Sequence, residues 1–291
     1  MGVPMREIIS FIAISLLFVV DGAAAQQLVA SKTEAPPLID GLPDDPAWQV
    51  SPTLTTTDKV TQIPIKLQAV YTDEHIFIKA RFTDQNENRD HKVLVWNGAE
   101  KVYRTSSKRE DSFVIKWSME PVKVDMSLES ETPYKADVWF WKAFRTDPVG
   151  FADDKFHVFG AQKTKESRDI LLPSGKTMYL TRSSDTGRSS YKSIAYEKFS
   201  GDEVPRYEHR HPEGSRADIK AKGGWADGFW TIEFKRALDT GHSDDIQLDP
   251  SLEYQFGVSR HEIAGKRPNP ALEQPYYESG DVGEELTLVF R

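Results

Sequence analysis

The 291-residue chain contains no cysteine. That excludes disulfide bonds, thiolate zinc sites, iron–sulfur clusters and the C-x-x-C-H attachment of a covalent c-type haem. Beyond residue 25 no apolar run approaches the roughly 20 residues that span a bilayer as a helix. Positive charge is not in excess either: 37 Lys and Arg stand against 45 Asp and Glu. Such a balance argues against nucleic acid or an anionic membrane as the main partner. The seven histidines form no H-E-x-x-H motif. A G-x-S-x-G serine elbow and a Gly-rich phosphate loop are also missing. Hydrolytic and nucleotide-dependent chemistry therefore have no support.

What is present begins with MGVPMREIISFIAISLLFVVDGAAAQQ. Arg6 precedes 13 largely apolar residues, Ile8 to Val20, and Ala23-Ala24-Ala25 offers a cleavage site before Gln26. This is the three-part pattern of a secretory signal peptide, so residues 1–25 are expected to be removed and the protein to be periplasmic or secreted. Without Arg6, Glu7 and Asp21 the balance is 36 basic against 43 acidic residues, net −7. The remaining residues 26–291 are enough for one large domain whose core must hold without disulfides.

Gln26 to Pro37 is polar, ends in Pro36-Pro37, and reads as an extended lead-in. Leu38 to Gln49 (LIDGLPDDPAWQ) is dense in turn formers, with Trp48 as the first bulky anchor. KLQAVYTDEHIFIKARFTD, Lys66 to Asp84, reads as a hairpin around a TDEH turn. Further strands are expected at Ser112–Met119, Asp137–Phe144, Phe156–Phe159, Phe229–Phe234, Tyr254–Ile263 and Glu285–Phe290. No long segment carries a 3.6-residue apolar period. The pattern predicts an all-β protein, an antiparallel β-sandwich, with residues 162–224 as a long polar insertion between core strands. Insertions of that length usually carry function or small strands of their own.

Three Asp pairs, Asp44-Asp45, Asp153-Asp154 and Asp244-Asp245, have the composition of acid–base or calcium sites. Each lies among Gly and Pro, where Asp stabilises turns through nearby backbone, and the turn reading is preferred. His209 and His211 form a weak H-x-H pattern inside the insertion.

The aromatic middle is the informative part. In EDSFVIKWSM, Glu110 to Met119, alternation places Phe113, Ile115, Trp117 and Met119 on one face and Ser112, Val114, Lys116 and Ser118 on the other. In DVWFWKAFRTDPVGFADD, Asp137 to Asp154, one face carries Val138, Phe140, Lys142 and Phe144, and the other carries Trp139, Trp141 and Ala143. Lys142 is the exception on its face, because burying an unpartnered ammonium is expensive. It can snorkel at a sheet edge, pair with a carboxylate such as Asp153 or Asp154, face solvent, or serve as a neutral amine that coordinates something.

These segments, together with IDGLPDDPAW and AVYTDEHIFIKARF, resemble the haem-binding domain of the ethylbenzene dehydrogenase gamma subunit and related cytochrome subunits of the dimethyl sulfoxide reductase class. The resemblance covers most of Pro37–Asp154 and, more loosely, Gly223–Arg291. It implies a periplasmic β-sandwich akin to family 9 carbohydrate-binding modules, holding one non-covalent haem b between methionine and lysine ligands. It implies electron transfer to or from a larger redox partner, a molybdoenzyme or a cytochrome. The resemblance sets the lysine ligand on Lys142, with Val138, Phe140 and Phe144 against the porphyrin. The methionine position falls on Lys116, so Met119 becomes the nearest methionine, with Lys116, Met126 and His157 as alternates. Two other readings stay open: a carbohydrate- or other ligand-binding module in which Trp117, Trp139 or Trp141 stacks on sugar rings, and an interaction domain with no small ligand. On either reading the protein itself is expected to be no enzyme.

Overall fold

The computed structural model describes residues 26–57, 63–261 and 286–291. The expected signal peptide, and the expected strand ends at Ile263 and Glu285, lie outside these residues.

Twenty strands follow one another among the described residues. The first seven are β1 (Gln26–Lys32), β2 (Leu54–Thr57), β3 (Pro64–Tyr71), β4 (His75–Thr83), β5 (Leu94–Asn97), β6 (Val102–Thr105) and β7 (Ser112–Ser118). Then come β8 (Tyr134–Lys142), β9 (Asp153–Gly160), β10 (Arg168–Leu171), β11 (Thr177–Ser184), β12 (Gly187–Arg188) and β13 (Tyr191–Ser193). The last seven are β14 (Glu203–Val204), β15 (Tyr207–His209), β16 (Glu213–Gly214), β17 (Lys220–Ala226), β18 (Phe229–Ala237), β19 (Tyr254–His261) and β20 (Leu286–Phe290). Helical structure among the described residues is confined to short 3-10 turns, such as Pro46–Val50, where Asp45 accepts the Ala47 N–H at 2.8 Å. The protein is all-β, as its alternating apolar pattern predicts.

A single 13-stranded sheet runs in the order β10-β11-β9-β8-β7-β19-β20-β1-β3-β4-β18-β17, and β2 pairs with the first half of β3 on the edge it shares with β1. It doubles over into a sandwich. Phe113 on β7 stacks on Phe82 of β4 at 5.6 Å, and Trp141 on β8 meets Trp230 of β18 edge-on at 4.9 Å. Phe113, Ile115, Trp117, Trp139 and Trp141 all belong to this inner core and are fully buried. Each such side chain contributes on the order of 1.5–3 kcal/mol of burial, which accounts for a stable core without disulfides. Close packing also fixes Gly223: a Cβ there would sit 2.3 Å from Trp141 Cζ2.

Two segments depart from the sequence expectation. Gln26–Lys32 is no lead-in but a central strand, parallel to β20 on one side and to β3 on the other. Its own apolar signal is only Leu28, Val29 and Ala30, and distant partners complete it. The polar insertion 162–224 contributes β10 and β11 to one sheet edge and β17 to the other. Its shorter strands form small pairs, β13 with β15 and β12 with β16, while β14 joins β5 and β6.

Candidate functional site

The register of β7, β8 and β9 locates Lys142, Phe140, Val138, Lys116 and His157. Ser112 pairs with Lys142, Val114 with Phe140, Lys116 with Val138, and Ser118 with Ala136. Across β8, Asp153 pairs with Phe140, Lys155 with Val138, and His157 with Ala136. Directly paired residues share a face, so Lys142, Phe140, Val138, Lys116 and His157 line the side of the sheet turned away from the inner core. That face has its own apolar cluster, with Val114, Val138, Met126, Tyr134, Phe159, Met178 and Leu180 buried at one end and Phe140 packed against it.

Lys142 lies at the opposite end of this face, at 2 % exposure. Its Nζ forms an ion pair with Asp153 Oδ2 and approaches the Tyr191 hydroxyl at 3.4 Å. The ammonium also sits 4.3 Å from the centre of the Phe140 ring and 5.3 Å from that of Tyr191. Of the options that alternation leaves for Lys142, pairing with a carboxylate is the one found. Asp153 is held further by the Tyr191 hydroxyl at 3.0 Å and by Arg216 Nη2 at 3.0 Å. Burial pulls the Lys142 pKa down to about 8 against the attraction of Asp153. Burial works to raise the Asp153 pKa, yet Lys142, Lys155 and Arg216 hold it below the ordinary carboxylate value.

A second ionic group adjoins the first. Glu110 is buried, pairs with Arg145, and accepts the backbone N–H groups of Phe144 and Arg145 at 2.8 Å each. His91 Nδ1 lies 3.1 Å from Glu110 Oε1, and burial, then Arg145, hold that imidazole neutral. The insertion supplies the cover: Tyr191 of β13 and Tyr207 of β15 stack edge-on at 5.5 Å, and both rings lie within 6 Å of the Arg145 guanidinium. Phe144 lies past the end of β8, half-buried, with its ring 5.2 Å from that of His209. His91, Glu110, Arg145, Tyr191, Tyr207 and Arg216 were not singled out by pattern, because they come from separate loops and small strands. The density of Arg and Tyr in the insertion is the trace that Tyr191, Tyr207 and Arg216 leave in the sequence, while Glu110 and Arg145 stand in the two aromatic segments themselves.

The other expected ligands lie elsewhere. Met119 follows β7, its N–H bonded to Lys135 O at 3.0 Å, and packs against the inner core. Seven positions of register separate it from the Lys142 level, roughly 23 Å at the rise of a strand. Lys142 and Met119 therefore do not meet at one metal ion. Lys116 is fully buried and donates to Met126 O at 2.8 Å and to the Tyr134 hydroxyl at 2.9 Å. Its amine points toward the Met126 end of the face, away from Lys142. Met126 packs within the outer apolar cluster. His157 is buried, with its pKa driven far below the ordinary value by burial, then by Lys116. Trp117, Trp139 and Trp141 are all buried in the inner core and present no ring to a sugar. Of the Asp pairs, Asp44-Asp45 and Asp244-Asp245 lie in turns, as expected, whereas Asp153 and Asp154 begin β9 and are both buried, on opposite faces.

A haem held at Lys142 needs an amine able to lose its proton, ring walls, and cations for two propionates. The Lys142 end provides these in the depressed lysine, in Phe140, Tyr191 and Tyr207, and in Arg145 and Arg216. It fits the group on that side, whereas Met119 does not complete it.

The fold is that of an all-β protein that buries an ionic group, Lys142 with Asp153, on the outer face of its sheet. The family described as ethylbenzene dehydrogenase matches residues 41–267, and the chain belongs to that family. No curated protein matches the chain. Among solved structures, it is similar to a family 9 carbohydrate-binding module from Caldicellulosiruptor kristjanssonii in complex with glucose. Identity there is 11 %, over 91 % of this chain and 96 % of that one, at a TM-score of 0.40. The cellotriose complex of a family 9 module from the same organism gives 12 % identity over 91 % and 95 %, at a TM-score of 0.37.

Proposed function

We propose that the chain is an exported b-type haem-binding module that passes electrons to or from a larger redox partner, a molybdoenzyme or another cytochrome. The observation that carries this reading is Lys142: a buried amine in the matched family region, walled by aromatic rings and flanked by guanidinium groups. Bound haem would supply a one-electron iron couple whose potential the protein sets by ligand and burial.

The chain's own residues do the rest. Burial pulls the Lys142 pKa down to about 8, so the amine gives up its proton more readily than an ordinary lysine. When Lys142 gives up its proton, Asp153 keeps its charge, because Arg216 and the Tyr191 hydroxyl still bond it. Arg145 and Arg216, which neighbour Lys142 through Glu110 and Asp153, would meet the propionates. Tyr191 and Tyr207 close the face against water. His91, beside Glu110, and His209, beside Phe144, are the imidazoles at this end, and either would be a nearer second ligand than Met119.

The test is an absorption spectrum of the purified protein after reconstitution with hemin. A Soret band with low-spin features is expected, lost or shifted in Lys142→Ala. Absence of the band in wild-type protein sinks the haem reading. An unchanged spectrum in Lys142→Ala moves the ligand to another residue.

A further inference from the structure

On the opposite face of β9, the second member of the same Asp pair belongs to a different cluster. Asp137 of β8 and Asp154 of β9 point into the sandwich, where Asp185, just past β11, and Asp245, in the loop after β18, meet them. One carboxylate oxygen from each of Asp137, Asp154 and Asp245 lies within 4.8 Å of the others. Asp137 and Asp154 are fully buried, and Asp185 and Asp245 nearly so. Arg236 donates to Asp137 Oδ2 at 2.7 Å and lies 3.9 Å from Asp245. Beyond it, His242 Nδ1 stands 4.0 Å from Asp245 Oδ2 and Lys155 acts on Asp185, so the carboxyl groups outnumber the cations around them.

The acceptor atoms are the second observation. No N–H or O–H makes a well-formed hydrogen bond to either oxygen of Asp154 or Asp185, or to Oδ1 of Asp137 or Asp245; the near approaches are Asp185 to Asp154, the Trp139 indole to Asp137 and Asp218 to Asp245. Buried carboxylates without donors are among the most costly groups a fold can contain. Burial, then mutual repulsion, pushes Asp154 well up, and burial is the largest influence raising Asp185 and Asp245 to about 7. Two arrangements relieve this: the carboxyls share protons, or a cation sits among them.

We infer that Asp137, Asp154, Asp185 and Asp245 form a site for a hard divalent cation, Ca2+ being the ion that such an all-oxygen, multi-carboxylate set suits. Ca2+ takes six to eight oxygen ligands at about 2.3–2.6 Å, and oxygens within 4.8 Å of one another are compatible with a single ion between them. Hard oxygen donors without sulfur or imidazole disfavour softer metals. A depression of about 590 Å³ lies beside the cluster, lined by Thr186 and Asp244, the neighbours of Asp185 and Asp245, with Phe156 and His242. The ion would tie β8 and β9 in one layer to the loop that follows β18 in the other.

The experiment uses the whole chain without haem, so its result is independent of the cytochrome reading. Thermal unfolding is followed in EDTA and in rising CaCl2, with MgCl2 as a second arm, and bound calcium is counted after equilibrium dialysis. One Ca2+ per chain is expected. At a hundredfold excess over Kd the folded-to-unfolded ratio rises about a hundredfold, a Tm increase on the order of 5–10 °C. In Asp154→Asn both the binding and the Tm increase are lost. A wild-type Tm that is the same in EDTA, CaCl2 and MgCl2, with no bound calcium, overturns the site in favour of shared protons. So does a Tm increase that persists in Asp154→Asn. If Asp154→Asn does not fold, Asp185→Asn and the calcium count on wild-type protein decide between the same two outcomes.

Discussion

Lys142 and Asp153 are both buried, yet replacing one should be far more damaging than replacing the other. In Asp153→Asn the carboxylate disappears and leaves Lys142 and Arg216 without their shared counter-charge. Breaking a buried pair in this way costs about 3–5 kcal/mol. In Lys142→Met, by contrast, Asp153 retains Arg216 Nη2 at 3.0 Å and the Tyr191 hydroxyl at 3.0 Å. The lysine's own desolvation, which pulls its pKa down to about 8 even against the attraction of Asp153, also vanishes. The methionine keeps most of the stem volume against Phe140. The net loss should be only about 1–2 kcal/mol. At about 3 °C per kcal/mol for a domain of this size, Tm falls by roughly 3–6 °C in Lys142→Met and 9–15 °C in Asp153→Asn. Urea unfolding, with the m-value checked for constancy, measures both. A Lys142→Met variant as unstable as Asp153→Asn would refute the reasoning, because Arg216 and Tyr191 would then not be sustaining Asp153. The comparison also matters for function, since a folded Lys142→Met protein makes any loss of a Soret band a ligand effect.

The remaining predictions concern packing and pH. Gly223→Ala should cost about 1–3 kcal/mol by overpacking Trp141, and combining it with Trp141→Phe should be less than additive in urea unfolding. Lys79 is buried, and burial lowers its pKa to about 8. The unfolded chain therefore holds this proton longer, and wild-type stability should gain between pH 8 and 10.5, a gain that Lys79→Met makes shallower in a pH series of unfolding curves. His157 is buried neutral with its pKa far below 6.5. It takes up a proton only on unfolding, so its contribution is present above pH 6.5 and lost as pH falls below it. His157→Gln should flatten that acid limb, and an unchanged limb would mean the ring is protonated in the folded protein.

The local pattern was sufficient for the strands that alternate strongly. Ser112–Ser118 and the hairpin of β3 and β4 stand within two or three residues of where period-two apolar spacing puts them. Alternation also isolated Lys142, since a cation among aromatic neighbours is visible without any structure. Gln26–Lys32 was not legible, because its strand character comes from β20, about 260 residues away, and from β3. The insertion was opaque for a similar reason: its strands are short, and Tyr191, Tyr207 and Arg216 acquire meaning only against Lys142 and Asp153.

The sequence by itself determined the all-β class, the aromatic core and the presence of an amine where core does not tolerate one, because these follow from side-chain period and composition. Only the tertiary structure decided that Lys142 meets Asp153, that Met119 lies at the far end of the sheet, and that adjacent Asp153 and Asp154 serve opposite faces. Those facts depend on register and on contacts between distant segments, and neither is written in the local order of residues.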